Sequence, residues 1–151
     1  MIHLNMKSFL YIICFVLLTA CSSDKAITKN PYLPNYQFNT GSLINTNLPE
    51  FSQLKFPGNF VILNSPYGIN GVVLYYAGGT NYNAFEITDP NHQISTCSKL
   101  SVEGIIATCN CDDGNSYDIL NGDKREGTTG SYTLIRYRVE VAGSIIRVFN
   151  N

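Results

Sequence analysis

The sequence predicts an all-β protein. Charged residues make up only 14% of the chain while Gly, Asn, Ser and Thr are abundant, a balance that suits short strands and turns better than surface helices. Short apolar runs recur between turn-forming residues, and the last pair is written as a strand, a turn and a strand. No window shows helical periodicity and no internal repeat is present. At 151 residues the chain has room for one domain with appendages, since domains run to about 100–200 residues.

The N-terminus places Lys7 ahead of an apolar run over 9–18. That run is short of the roughly 20 residues a membrane-spanning helix needs, and it has signal-peptide dimensions. It ends in Leu18-Thr19-Ala20-Cys21, followed by Ser22 and Ser23. This order resembles the lipobox of bacterial lipoproteins, whose cysteine is lipidated and becomes the new N-terminus. The resemblance implies a signal peptide over 1–20, lipid on Cys21, and a membrane-anchored protein of the bacterial cell envelope outside the cytoplasm, on the outer membrane or a periplasmic face. One acyl chain holds a protein marginally and several hold it stably. Residues 21–50 are polar, carry Pro31, Pro34 and Pro49 and have no sustained apolar period, so they read as a lipidated tether not needed for stability.

From Phe51 onward the pattern is β, which places the domain at 51–151. Phe60-Val61-Ile62-Leu63 and Val72-Val73-Leu74-Tyr75-Tyr76 are strands, the second preceded by the hairpin-turn dipeptide Asn70-Gly71. Ala84-Phe85-Glu86-Ile87 follows and is closed by Asp89-Pro90. Ile105-Ile106-Ala107-Thr108 and Tyr117-Asp118-Ile119-Leu120 are separated by Cys109, Cys111 and the turn-forming Asp112-Asp113-Gly114-Asn115, and are expected to pair. Over 134–141, Ile135, Tyr137, Val139 and Val141 alternate with Arg136, Arg138 and Glu140, the period of a strand with one buried face. Ala142-Gly143 then turns the chain into Ile145-Ile146-Arg147-Val148-Phe149.

Lys plus Arg is 10 and Asp plus Glu is 11, for a net charge of -1, so no basic face is available for nucleic acid. Of the two histidines, His3 precedes the cleavage point, leaving His92. Chemistry that needs two imidazoles is excluded. No Ser-His-Asp, paired-carboxylate or phosphate-loop arrangement stands out, and the expectation is a protein that is not an enzyme. Of five cysteines, Cys14 leaves with the signal and Cys21 takes the lipid. Cys97, Cys109 and Cys111 remain, and in an oxidising compartment two of them are expected to form a disulfide. With His92 they also make, by count, a Cys3His set of the kind that holds zinc; export and the tight Cys109-x-Cys111 spacing argue against it. His92, in the polar turn Pro90-Asn91-His92-Gln93, reads as a solvated side chain without a role. Asp89, Asp112, Asp113 and Asp118 lack the order of a calcium loop and read as turn formers.

About two thirds of the chain, from about 56 to 150 and most of all 84–148, resembles the Rieske iron-sulfur domain. In that family an approach strand leads into a Cys-x-His loop, a second loop reads Cys-x-x-His, a Phe-Asp strand and a Gly-rich stretch follow, and a hairpin closes the domain. Here Ala84-Phe85-Glu86 is similar to the approach strand, Cys109-Asn110-Cys111-Asp112 to the second loop and Tyr117-Asp118 to Phe-Asp. Gly122 and Gly127 stand for the Gly-rich stretch and 134–148 for the hairpin. The resemblance implies a Rieske-like antiparallel β-sandwich with a small loop-hairpin subdomain at about 88–121. The family's 2Fe-2S cluster is held by one Cys and one His from each loop. Those positions fall here on Asp89 and Asn91 in the first loop and on Cys109 and Asp112 in the second. Only Cys109 survives, and shifting the first loop by one residue brings in His92 but puts Pro90 at the thiolate position.

The resemblance also implies a disulfide bracing the loops, Cys97 to Cys111, with Cys97 to Cys109 as the competing pairing. Such a bridge closes a loop of about 14 residues and contributes about 3 kcal/mol. The expectation is a degenerate member that holds no cofactor and acts as a binding or structural module toward an envelope partner. The alternatives are an electron-transfer protein with a 2Fe-2S cluster on non-standard ligands, and a Cys3His zinc protein.

Overall fold

An apolar run without alternation, such as Val72-Val73-Leu74-Tyr75, suits a strand covered on both faces, and all four side chains are buried. The computed structural model describes residues 29–150, and the protein is all-β. Its strands are β1 (Phe38–Asn39), β2 (Ile44–Asn45), β3 (Phe60–Leu63), β4 (Val72–Gly78), β5 (Asn81–Glu86), β6 (Ser101–Glu103), β7 (Ile106–Thr108), β8 (Ser116–Asp118), β9 (Arg136–Ala142) and β10 (Ile145–Asn150). A seven-stranded antiparallel sheet runs β1-β10-β9-β5-β4-β3, with β2 also on β10, and a three-stranded sheet runs β6-β7-β8. The expected pairing of 105–108 with 117–120 is present as β7 on β8, with Ala107 opposite Tyr117.

The alternation of side chains along each strand divides the core in two. Val72, Leu74, Ala84 and Val148 point to one face, where Ile44 and Leu54 cover them. Val73, Tyr75 and Phe85 point to the other, against Ala107 and Tyr117 of the smaller sheet and Ile119 just after it. The small sheet is thereby docked on the large one through apolar contact, and its loops are carried on a rigid base. Gly122, at φ +87°, sits where a Cβ would run into the Phe85 ring, so the segment after β8 passes close over β5.

Three features differ from the sequence reading. Residues 29–50, the described part of the tether, pack on the domain: β1 and β2 pair with β10, Ile44 has no exposed surface, and a 3-10 helix, Pro49–Lys55, buries Phe51 and Leu54. Two-residue strands show no period, and the asparagine that ends each one makes the following turn, with Asn39 Oδ1 accepting from the Gly41 N–H and Asn45 Oδ1 from the Asn47 N–H. Asn70-Gly71 is not a two-residue hairpin turn but the end of a longer connection, 64–71, between β3 and β4. The Glu86 carboxylate holds that connection, accepting from the Ile69 and Asn70 N–H groups (2.7 and 3.0 Å). Val141 is exposed because β5 pairs with β9 only at Ala84↔Tyr137 and Phe85↔Arg136, leaving the outer half of the last hairpin uncovered. Among the described residues no helix is long and apolar enough to cross a membrane.

Candidate functional site

Two loops carry the chemistry-bearing side chains. The first, 89–98, follows β5 and is closed where the Asp89 N–H donates to the Ser98 carbonyl (2.9 Å). The second, 109–115, joins β7 to β8 and is closed where the Cys109 N–H donates to the Asn115 carbonyl (2.9 Å). Aspartates shape both: Asp89 Oδ1 accepts from the Asn91 N–H (2.7 Å) and Asp113 Oδ1 from the Asn115 N–H (3.0 Å), each bending its own backbone two residues on. The Cys97–Cys111 disulfide, with Cα atoms 4.9 Å apart, ties the loops together. Cys109 is the free thiol and is buried.

Asp89 and His92 from the first loop and Cys109 and Asp113 from the second bring one donor atom each to within 4.8 Å of the others. His92 Nε2 lies 3.2 Å from Cys109 Sγ, 3.4 Å from Asp113 Oδ2 and 3.7 Å from Asp89 Oδ2. Its Nδ1 sits 2.8 Å from the Gln93 carbonyl. A carbonyl only accepts, so Nδ1 carries the proton, and in the neutral ring the lone pair is on Nε2, facing the cluster. Asp89 has no exposed surface, whereas the His92 and Asp113 side chains are 25% and 24% exposed, so the cluster is open to solvent on one side.

Burial pushes the Cys109 thiol up to about 12; Asp89 and Asp113 push the same way, and the Cys111 backbone N–H opposes them. Near neutral pH the thiol is therefore protonated and donates to Nε2. Asn115, almost wholly buried, donates through Nδ2 to Asp89 Oδ2 (3.0 Å) and Asp113 Oδ2 (3.2 Å). Its own Oδ1 accepts from the Thr129 N–H and hydroxyl (2.8 and 3.0 Å). Burial also raises the Tyr117 hydroxyl far above the usual phenol range, so it stays a donor, to Asp89 Oδ1 at 2.7 Å.

Asp89 and Cys109, two of the four positions the Rieske resemblance singles out, face each other here; Asn91 and Asp112 do not join them. The Asn91 side chain is engaged elsewhere, donating to the Tyr117 hydroxyl and the Tyr132 carbonyl and accepting from the Tyr132 N–H. Asp112 is exposed and left-handed, at φ 57°. The next residue of each loop takes the place, His92 for Asn91 and Asp113 for Asp112. His92 is thus the residue the sequence reading set aside, and its position one step beyond the aligned site was the available signal. Asp118 belongs to a different contact, 3.9 Å from Arg125.

A Rieske 2Fe-2S cluster needs two thiolates and two imidazoles, and the two loops present one free thiol and one imidazole. The residues do not fit that group. A Cys3His zinc set meets the same obstacle, because two of its sulfurs are bonded to each other. Two surface grooves, of about 370 and 550 Å³, bring together no histidine or cysteine.

The fold and site together define an all-β domain with a mixed His, Cys and carboxylate cluster held between two disulfide-linked loops. No protein-family model matches the chain, and no curated protein matches it. Among solved structures it is similar to one described as the complex of reduced oxygenase and oxidized ferredoxin in carbazole 1,9a-dioxygenase, with 18% identity and a TM-score of 0.44. That likeness covers 78% of this chain and 95% of the other.

Proposed function

We propose that this chain is a lipid-anchored protein of the bacterial cell envelope whose Rieske-like domain holds no 2Fe-2S cluster and acts as a non-enzymatic binding or structural module. The observation that carries the reading is the donor count at the loops. Cys97 and Cys111 are consumed by their own bond, and Cys109 and His92 are the thiol and the imidazole left to face each other. The disulfide also joins the loops without metal. The anchor rests on the Leu18-Thr19-Ala20-Cys21 order; Cys21 lies outside the described residues.

Electron transfer through a cluster on non-standard ligands is the second reading, favoured by the 3.2 Å approach of His92 Nε2 to Cys109 Sγ. One preparation separates the two. The full chain, purified without oxygen, should be colourless and free of stoichiometric iron and inorganic sulfide, and its mass should correspond to an acylated chain starting at Cys21. Near-stoichiometric iron and sulfide, with visible absorption bleached by dithionite, would establish electron transfer instead. An unlipidated N-terminus upstream of Cys21 would remove the anchor.

A further inference from the structure

We propose that Asp89, His92, Cys109 and Asp113 form a binding site for a single divalent cation of the zinc type. This goes beyond the cluster-free reading and does not depend on the lipid anchor.

The geometry is the first support. Zinc bonds of about 2.0–2.3 Å to nitrogen, oxygen and sulfur set the edges of a tetrahedral site at about 3.4–3.6 Å. The separations from His92 Nε2 to Cys109 Sγ, Asp113 Oδ2 and Asp89 Oδ2 are 3.2, 3.4 and 3.7 Å. The other three separations are within 4.8 Å, and rotation of the side chains would bring the four donors onto one centre. The donor chemistry is the second support: a thiolate and an imidazole beside two carboxylates suit zinc and disfavour calcium and magnesium, which take oxygen ligands.

Charge is the third. Two carboxylates converge here, and among the described residues no lysine or arginine forms an ion pair with either; their ion-pair partner is His92. With Nδ1–H donated to the Gln93 carbonyl, Nε2 faces both carboxylates, and a divalent cation among the four donors would answer their charge. Binding would displace the Cys109 proton to solvent.

The surrounding hydrogen bonds are those a metal site requires to orient its ligands. The Gln93 carbonyl holds the His92 ring, Tyr117 and the Asn91 N–H hold Asp89 Oδ1, and Asn115 spans both carboxylates. Four protein ligands make the site structural in kind, without the open position of a catalytic zinc. The metal would join the two loops beside the disulfide.

Cobalt serves as the probe, because a tetrahedral cobalt-thiolate centre is coloured. The full chain in detergent, disulfide intact and stripped with chelator, is titrated with Co²⁺ and then Zn²⁺. The expected result is one equivalent of Co²⁺ with a near-ultraviolet sulfur-to-cobalt band and tetrahedral visible bands, all lost as Zn²⁺ displaces it. Cys109→Ser should abolish the sulfur band. Asp113→Asn, at a partly exposed position, should weaken binding at least tenfold while the far-ultraviolet circular dichroism stays unchanged. Absence of saturable binding by the parent protein, a cobalt spectrum without the sulfur band, or unaltered affinity in folded Asp113→Asn would each overturn the proposal. Such a failure leaves the cluster-free reading standing, since that reading falls only to iron and sulfide.

Discussion

Glu86 and Asp89 are three residues apart and both lack exposed surface, yet their partners give them different roles. Glu86 accepts from the Ile69 and Asn70 N–H groups and from the Thr88 and Tyr137 hydroxyls, so its charge is fully answered by fixed donors. Burial first, and then Glu86 itself, hold the Tyr137 hydroxyl far above the phenol range, which keeps it a donor. Glu86→Gln turns one acceptor oxygen into an N–H group facing a donor, and should lower stability by about 1–3 kcal/mol in urea unfolding. Asp89 also accepts from fixed donors but turns one oxygen toward His92, which marks it as part of a site. Beside it, the Cys109 thiol keeps its proton up to about 12. In chelator at pH 8, iodoacetamide should label native Cys109 far more slowly than the unfolded chain, with the rate climbing only as the pH approaches that value, because the thiolate is the reactive form. Equal native and unfolded rates at pH 8 would contradict the buried placement.

At the level of elements, the loops depend on cross-links more than on strands. β6, β7 and β8 have three residues each, and the disulfide spans 14 positions of sequence. Replacing both cysteines by serine, Cys97→Ser with Cys111→Ser, should cost about 3 kcal/mol and lower Tm by on the order of 10 °C. The large sheet contains neither cysteine, so the far-ultraviolet circular dichroism below the transition should change little. A variant as stable as the parent would mean that apolar docking alone holds the loops. β6 was not legible beforehand because Val102 is the single apolar residue of Ser101–Glu103. The helix at Pro49–Lys55 was missed for a similar reason: Phe51 and Leu54 are one apolar pair, too few to establish a period.

For the whole molecule, the packed unit begins well before Phe51. Leu33 and Ile44 are buried, and Thr40 takes part in a buried hydrogen bond with the Val148 N–H. Removing core methyl groups costs about 2–5 kcal/mol for an isoleucine truncated to alanine, so Ile44→Ala should shift the urea midpoint by that much. A free tether would show no shift. Removing residues 21–50 altogether should destabilise the remainder, since the face of the large sheet made by Val72, Leu74 and Val148 would lose Ile44 from its cover.

What the sequence determined by itself is the set of strands with enough residues to show a period: β3, β4, β5, β9, β10 and the pairing of β7 with β8. Hydrophobic alternation is a local property, and four or five residues suffice to display it. The count of histidines also bounded the chemistry, since among the described residues His92 is the only imidazole. Tertiary structure decided which loop residues meet. The resemblance put the family's ligand positions on Asn91 and Asp112 beside Asp89 and Cys109, but the turns made by Asp89 and the left-handed Asp112 bring His92 and Asp113 to Asp89 and Cys109 instead. A shift of one residue in a loop redirects a side chain without changing any pattern that composition or spacing records. Ile44 was hidden for the related reason that its two-residue strand is defined by pairing with β10, a contact a hundred residues away in sequence.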